Sequence, residues 1–129
     1  TTVASTSSYN DVAGTEVSFS RSFANSKILG LWNLKYTTGL KVNLKLNRKI
    51  GSGSFANIRA TSSEHGIGQL VNMNSRTHAP MLMTVIDAPD TTQEVSYKLY
   101  VRTFGTAADV EIPPGTEEHV EFILQEISQ

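Results

Sequence analysis

Apolar and polar residues alternate without a break from Leu40 to Leu46, with Leu40, Val42, Leu44 and Leu46 facing one way and Lys41, Asn43 and Lys45 the other. The pattern returns at 95–101, where Val95, Tyr97, Leu99 and Val101 share a parity against Ser96, Lys98 and Tyr100. Successive side chains of a strand point to opposite faces, so a period of two predicts ribbons with one face in a core and one in water. No stretch of comparable length carries helical spacing. The chain is expected to be all-β, and this excludes most dinucleotide-fold, phosphate-loop and helical-bundle activities.

Strands are predicted at Val3–Tyr9, Glu16–Phe23, Lys27–Tyr36, Leu40–Lys49, Ile67–Asn72, Met81–Asp87, Glu94–Thr103, Val110–Ile112 and His119–Ile127. Turn chemistry separates them at Asn10-Asp11, Ala13-Gly14, Ala24-Asn-Ser26, Thr38-Gly39, Gly51-Ser-Gly53, Asp87-Ala-Pro-Asp90 and Pro113-Pro-Gly115. Short strands at this spacing predict a two-sheet antiparallel sandwich or jelly roll. No linker or repeat divides the chain, so residues 1–129 are expected to form one domain. Residues 1–15 are read as an N-terminal strand or arm that joins the fold or a neighbouring subunit.

Three strands depart from one-sided alternation. Lys27–Tyr36 has Ile28, Trp32, Leu34 and Tyr36 on one parity and Leu29 and Leu31 on the other. His119–Ile127 sets Val120, Phe122 and Leu124 against Ile123 and Ile127, and Met81–Ile86 is apolar on both sides. A strand with two apolar faces needs a second cover. Loops at the sandwich ends are one such cover. Three strands of this kind in one short chain favour another subunit, so Leu29, Leu31, Ile123 and Ile127 are expected at an oligomer interface.

Composition changes the picture mainly by exclusion. The 129 residues carry 11 Lys and Arg against 12 Asp and Glu, a formal net charge of -1, and no cysteine. Disulfides and thiolate metal sites are therefore ruled out. Nucleic-acid binding needs a basic face, and the single basic cluster is Lys41, Lys45, Arg48 and Lys49, in which Lys41 and Lys45 are better read as strand-surface lysines that serve solubility and edge protection. There is no signal-like segment and no apolar run of membrane length. Thr1 is a residue of the kind left when an initiator methionine is removed, which is compatible with a native N terminus. Ser and Thr make up roughly a fifth of the chain, in keeping with strands and turns.

No catalytic constellation emerges. Gly51-Ser-Gly-Ser-Phe55 lacks the lysine-bearing strand and metal-binding signature of a kinase loop, and a flexible surface loop is the better reading. His65, His78 and His119 are not spaced as metal ligands, and Glu117, Glu118 and Glu121 beside His119 suit a solvated loop edge. Asp87, Asp90, Glu94 and Asp109 lack the alternating-acid spacing of a calcium loop, while Asp87 and Pro89 suffice to shape a turn. No enzyme activity, metal or cofactor is expected. Trp32, Tyr36 and Tyr97 lie on apolar parities and are assigned to the core. Tyr9 and Tyr100 are left as candidates for the surface.

Five segments together carry a family resemblance: Ala24-Asn-Ser-Lys-Ile-Leu29, Leu44-Lys-Leu-Asn-Arg48, Val85-Ile-Asp-Ala-Pro-Asp-Thr-Thr92, Val95-Ser-Tyr-Lys-Leu-Tyr-Val-Arg102 and Phe122-Ile-Leu-Gln-Glu-Ile127. In order and spacing, from about Glu16 to Ser128, the chain resembles structural proteins of tailed bacteriophages, especially marine ones, and of some large algal viruses. That family looks like the jelly rolls of tumour necrosis factor and the complement globular heads, ten-stranded sandwiches that assemble as trimers. The resemblance implies a virion protein with one sheet, including its last strand, along a three-fold axis. The chain departs from the family after Arg48, where Lys49-Ile-Gly-Ser-Gly-Ser54 replaces an Arg-Asp-Gly-like turn.

The expectation is thus a non-enzymatic homotrimer that decorates or cements the outside of a phage capsid. It would be assembled in the host cytoplasm and would have the major capsid protein as its partner, without nucleic acid or membrane. The alternative is a receptor-binding fibre head that recognises host glycan or surface protein. Its contacts would be the loops at 49–53 and 62–66, carrying Lys49, Ser52, Ser54, Glu64 and His65. A secreted cytokine-like ligand ranks third.

Overall fold

The long alternating stretches become antiparallel strands, and the described part of the molecule has no helix. A computed structural model describes residues 2–3, 8–38, 42–58, 68–70, 79–103, 110–111 and 121–127. Within them run β1 (Thr2–Val3), β2 (Asn10–Asp11), β3 (Val17–Phe19), β4 (Lys27–Thr38), β5 (Val42–Ile50), β6 (Ala56–Asn57), β7 (Gly68–Leu70), β8 (Ala79–Asp87), β9 (Val95–Thr103), β10 (Val110–Glu111) and β11 (Glu121–Ile127).

The strands form two antiparallel sheets, consistent with a β-sandwich. The first is built on β4, which pairs with β8 along one side and with β11 and then β10 along the other; β1 adds beyond β10. The second is built on β5 and β9, paired from Val42↔Thr103 to Ile50↔Val95. The far side of β9 carries β2 and β3, and the far side of β5 carries β7 and β6. The described parts of the N-terminal arm join both sheets of their own chain, β1 in the first and β2 in the second.

The core follows the sequence parity. Ile28, Trp32, Met83 and Val85 of the first sheet meet Leu44, Leu46, Val95, Tyr97, Leu99 and Val101 of the second, with Phe122 and Leu124 packed against them. Trp32 is the hub, its ring edge-on to Tyr97 at 6.0 Å and to Phe122 at 6.3 Å between centroids. Its indole lies along its own strand over Gly30, where an added Cβ would stand 2.2 Å from a ring carbon. Glycine at this position makes room for the tryptophan.

Where sequence and structure differ, local hydrogen bonding explains the difference. Asn10-Asp11, expected as a turn, pairs as a short strand with Tyr100 and Val101. The turn comes later, at Val12–Thr15, with Gly14 at φ 77°. There the Thr15 hydroxyl donates to the Val12 carbonyl at 2.6 Å and accepts from the Leu99 amide at 3.2 Å, filling the gap in the ladder between β2 and β3. β3 ends at Phe19 because 20–26 is recruited into the side-chain clasp described below. β6 was not anticipated. Lys45 does not guard an edge, since β5 lies between β9 and the β6 and β7 strands.

Candidate functional site: two unlike sheet faces

Alternation along β4, β8 and β11 puts one set of side chains in the core and the other on the outside of the first sheet. Register makes that outer set contiguous. Leu29 stands between Ile86 and Gln125, Leu31 between Thr84 and Ile123, and Asn33 between Leu82 and Glu121, while Lys27 faces Ile127. Leu82 is 67% exposed, Ile123 58%, Ile86 50% and Ile127 38%, so the face is largely apolar, with Leu29 and Leu31 half-buried and Thr84 and Gln125 exposed among them. The sequence-predicted interface residues Leu29, Leu31, Ile123 and Ile127 therefore share one surface. Leu82 and Ile86 belong there too. Their parity within Met81–Ile86 was the available signal for them. Polar groups frame the patch, where the Asn33 amide donates to Glu121 at 3.1 Å.

The outer face of the second sheet has the opposite character. Lys45 and Lys49 of β5 and Lys98 and Arg102 of β9 project from it, interleaved with Asn47 and Tyr100. Lys98 pairs with Asp11 at 2.6 Å and Lys49 with Glu16 at 3.0 Å. The Asp11 hydrogen bond holds the Lys98 ammonium above the ordinary lysine range, and Lys98 in turn lowers the Asp11 carboxyl. Lys45 and Arg102 converge on the Tyr9 ring, at 3.8 and 5.2 Å from its centroid. Partial burial, and then the neighbouring Arg102 charge, lower the Lys45 pKa. Phe55 lies 6.3 Å from Tyr100 and beneath the Lys49 ammonium at 4.9 Å. Tyr9 and Tyr100, candidates for the surface, are half-buried in this carpet.

Of the loop candidates, Lys49 belongs to β5 and this face, while Ser52 and Ser54 are exposed on the turn after it. Gly51 there adopts φ 51° and donates its amide to the Glu94 carbonyl at 2.8 Å. Glu64, His65 and the rest of 62–66 lie outside the described residues, as do His78, His119 and Val120.

Two polar clusters tie the sandwich at one end, the first half-buried and the second largely at the surface. Arg48 donates to both Asp87 oxygens at 2.9 and 2.8 Å, and the Tyr97 hydroxyl donates to Asp87 Oδ2 at 2.7 Å, which links β5 and β9 to β8 across the sheets. Burial, with the Asp87 hydrogen bond second, pushes the Tyr97 phenol far above its usual range. Asp87, read as a turn former, is this inter-sheet latch. In the second cluster, Glu126 accepts from the Ser26 hydroxyl, from the Ser22 amide at 2.9 Å and from the Phe23 amide at 3.0 Å. Arg21 completes it by donating to the Ser26 carbonyl and to Thr91 O. Hydrogen bonds from Ser26 and then Ser22 hold the Glu126 carboxyl down to about 2.

Neither cluster has the make-up of a catalytic site, since every charged group is spent on a neighbour that holds the fold. Among the described residues no group of three His, Asp or Glu side chains is placed to hold a metal ion. No family model, curated protein or solved structure matches the chain.

Proposed function

We propose that this chain is a non-enzymatic structural subunit that self-associates through the outer face of β8, β4 and β11, as a homotrimer. The observation that carries the reading is the contiguous apolar surface of Leu82, Ile86, Leu29, Leu31, Ile123 and Ile127. Soluble monomers seldom leave more than about 300–600 Å² of contiguous apolar surface bare, and larger patches are usually interaction sites. The face belongs to a hydrogen-bonded sheet and has Asn33 and Glu121 at its margin, as an interface core with a polar rim requires. The family resemblance supplies the three-fold arrangement and the biological setting: a decoration or cement protein on the exterior of a tailed-phage capsid, with the major capsid protein as partner. Binding only to assembled capsid would stabilise it by mass action.

Light scattering of the purified chain at micromolar concentration tests the assembly. A mass near three times 14.1 kDa is expected, and a 14.1 kDa species would overturn the trimer. Cementing is tested separately, by stripping the protein from particles and heating them. Unchanged capsid resistance would remove that role while leaving the trimer standing.

A further inference from the structure

A trimer built on the apolar face needs a second surface. In a ring of three, each contact joins two different patches, and identical residues of the copies meet only on the axis itself. The face spans three strands, about 10 Å from β8 to β11, so most of it lies off any axis and must meet something other than itself. We propose that its counterpart is the loop carrying Phe23, whose phenyl group from one subunit seats among Leu82, Ile86, Ile123 and Ile127 of the next. The inference rests on the reading of the apolar face as a trimer contact and supplies the other half of that contact.

Phe23 is 59% exposed, and among the described residues it is the one large exposed apolar side chain outside the face. Its loop is anchored away from that face. The Phe23 amide is held by the Glu126 carboxylate, and alternation turns Glu126 to the opposite side of β11 from Ile123 and Ile127. The loop is also fixed in advance. Phe23 donates its amide to Glu126 Oε1 at 3.0 Å, its carbonyl accepts from the Ser26 hydroxyl at 2.8 Å, and the Ser22 amide donates to Glu126 Oε2 at 2.9 Å. An aromatic ring on a loop ordered before binding loses little entropy when it docks, and aromatic anchors in apolar pockets are where interfaces concentrate their affinity.

The other broad surface is a poor match. The outer face of the second sheet carries the Lys98–Asp11 and Lys49–Glu16 pairs, and covering them with leucine and isoleucine would take four charges out of water. Two apolar faces packed on each other would make an isologous contact, which closes with two subunits and leaves Phe23 in water. Phe23 is thus what separates a ring of three from a pair.

The test follows dissociation of the full chain by light scattering over a dilution series. Phe23→Ser should raise the concentration at which trimers come apart about thirtyfold or more, as loss of an aromatic anchor does, while the far-ultraviolet circular dichroism of the folded chain is retained. The absence of cysteine permits a second readout that leaves the phenyl group in place. Ala24→Cys, at an exposed neighbour of Phe23, is combined in turn with Leu82→Cys, Ile86→Cys, Ile123→Cys and Ile127→Cys, and the protein is treated with a mild oxidant. At least one pair should give disulfide-linked trimers in denaturing electrophoresis. A variant with a single cysteine cannot form them, since one thiol per chain links only two chains. Should Phe23→Ser fail to fold, the linking result decides alone. A wild-type mass of one or two chains would overturn both the trimer and this contact. A wild-type trimer that Phe23→Ser leaves equally tight, or from which none of the four pairs gives a linked trimer, would overturn the contact and leave the trimer standing.

Discussion

Trp32 and Gly30 act as one unit. Truncating a fully buried tryptophan removes its burial free energy and leaves a cavity between two sheets, so Trp32→Ala should cost about 3–5 kcal/mol in urea unfolding. Gly30→Ala fails for the opposite reason. The new methyl occupies the place of the indole edge, and overpacking of this kind costs about 1–3 kcal/mol. Near-ultraviolet circular dichroism would report the displaced ring. The inward parity of Trp32 was legible in the sequence, because alternation assigns a face to every residue of a strand. The role of Gly30 was not: alternation says which side a ring is on, never which way it lies along that side. The stacking of Lys45 and Arg102 on Tyr9 was hidden likewise, since it joins residues from three segments that only strand pairing brings together.

Among elements, the two end clusters decide how the sheets stay in register. Removing the Asp87 charge leaves the half-buried Arg48 of the interior strand β5 without this partner and takes an acceptor from the Tyr97 hydroxyl. Asp87→Ala should therefore cost about 1–3 kcal/mol, measured by thermal or denaturant unfolding. The Glu126 clasp has a pH signature. Its carboxyl is held at about 2 when folded against an ordinary 4.5, so the folded state gains from the ionised form. That contribution is complete above pH 4.5, declines as pH falls through the interval and is gone below about 2. Glu126→Gln should flatten the melting temperature of the protein against pH across this window, relative to wild type. Periodicity located the long strands to within a few residues. Arg48, Asp87 and Glu126 eluded it because each is a charged residue at an inward position, and their partners lie far away in sequence.

At the scale of the whole molecule, the apolar face of the first sheet and the charged face of the second are chemically unlike. Ile123 lies on the bare face opposite Leu31 of the central strand β4. Ile123→Asp would put a carboxylate without a dedicated partner into every copy of the proposed contact. The expected result is a folded 14.1 kDa species by light scattering, with far-ultraviolet circular dichroism like that of the wild type. Persistence of the wild-type mass would move the contact elsewhere. The two-sheet, all-β architecture was legible from alternation alone, and the doubly apolar strands marked the outward face. Which strands neighbour one another was not, because pairing depends on crossovers that leave no local trace.

The placement of β4 also has a consequence in time. Its partners on either side, β8 and β11, both come much later in the chain. Synthesis proceeds at about 5–20 residues per second, so the strand that will become the centre of a sheet leaves the ribosome seconds before anything can pair with it. During that interval its ladder groups are open on both edges, and leucines lie on one side with isoleucine and tryptophan on the other. Nascent copies on one message are then each other's nearest partners, and pairing between them would compete with folding within each chain. The same strand that lies at the centre of the proposed contact face makes the order of synthesis a hazard for the unfinished chain.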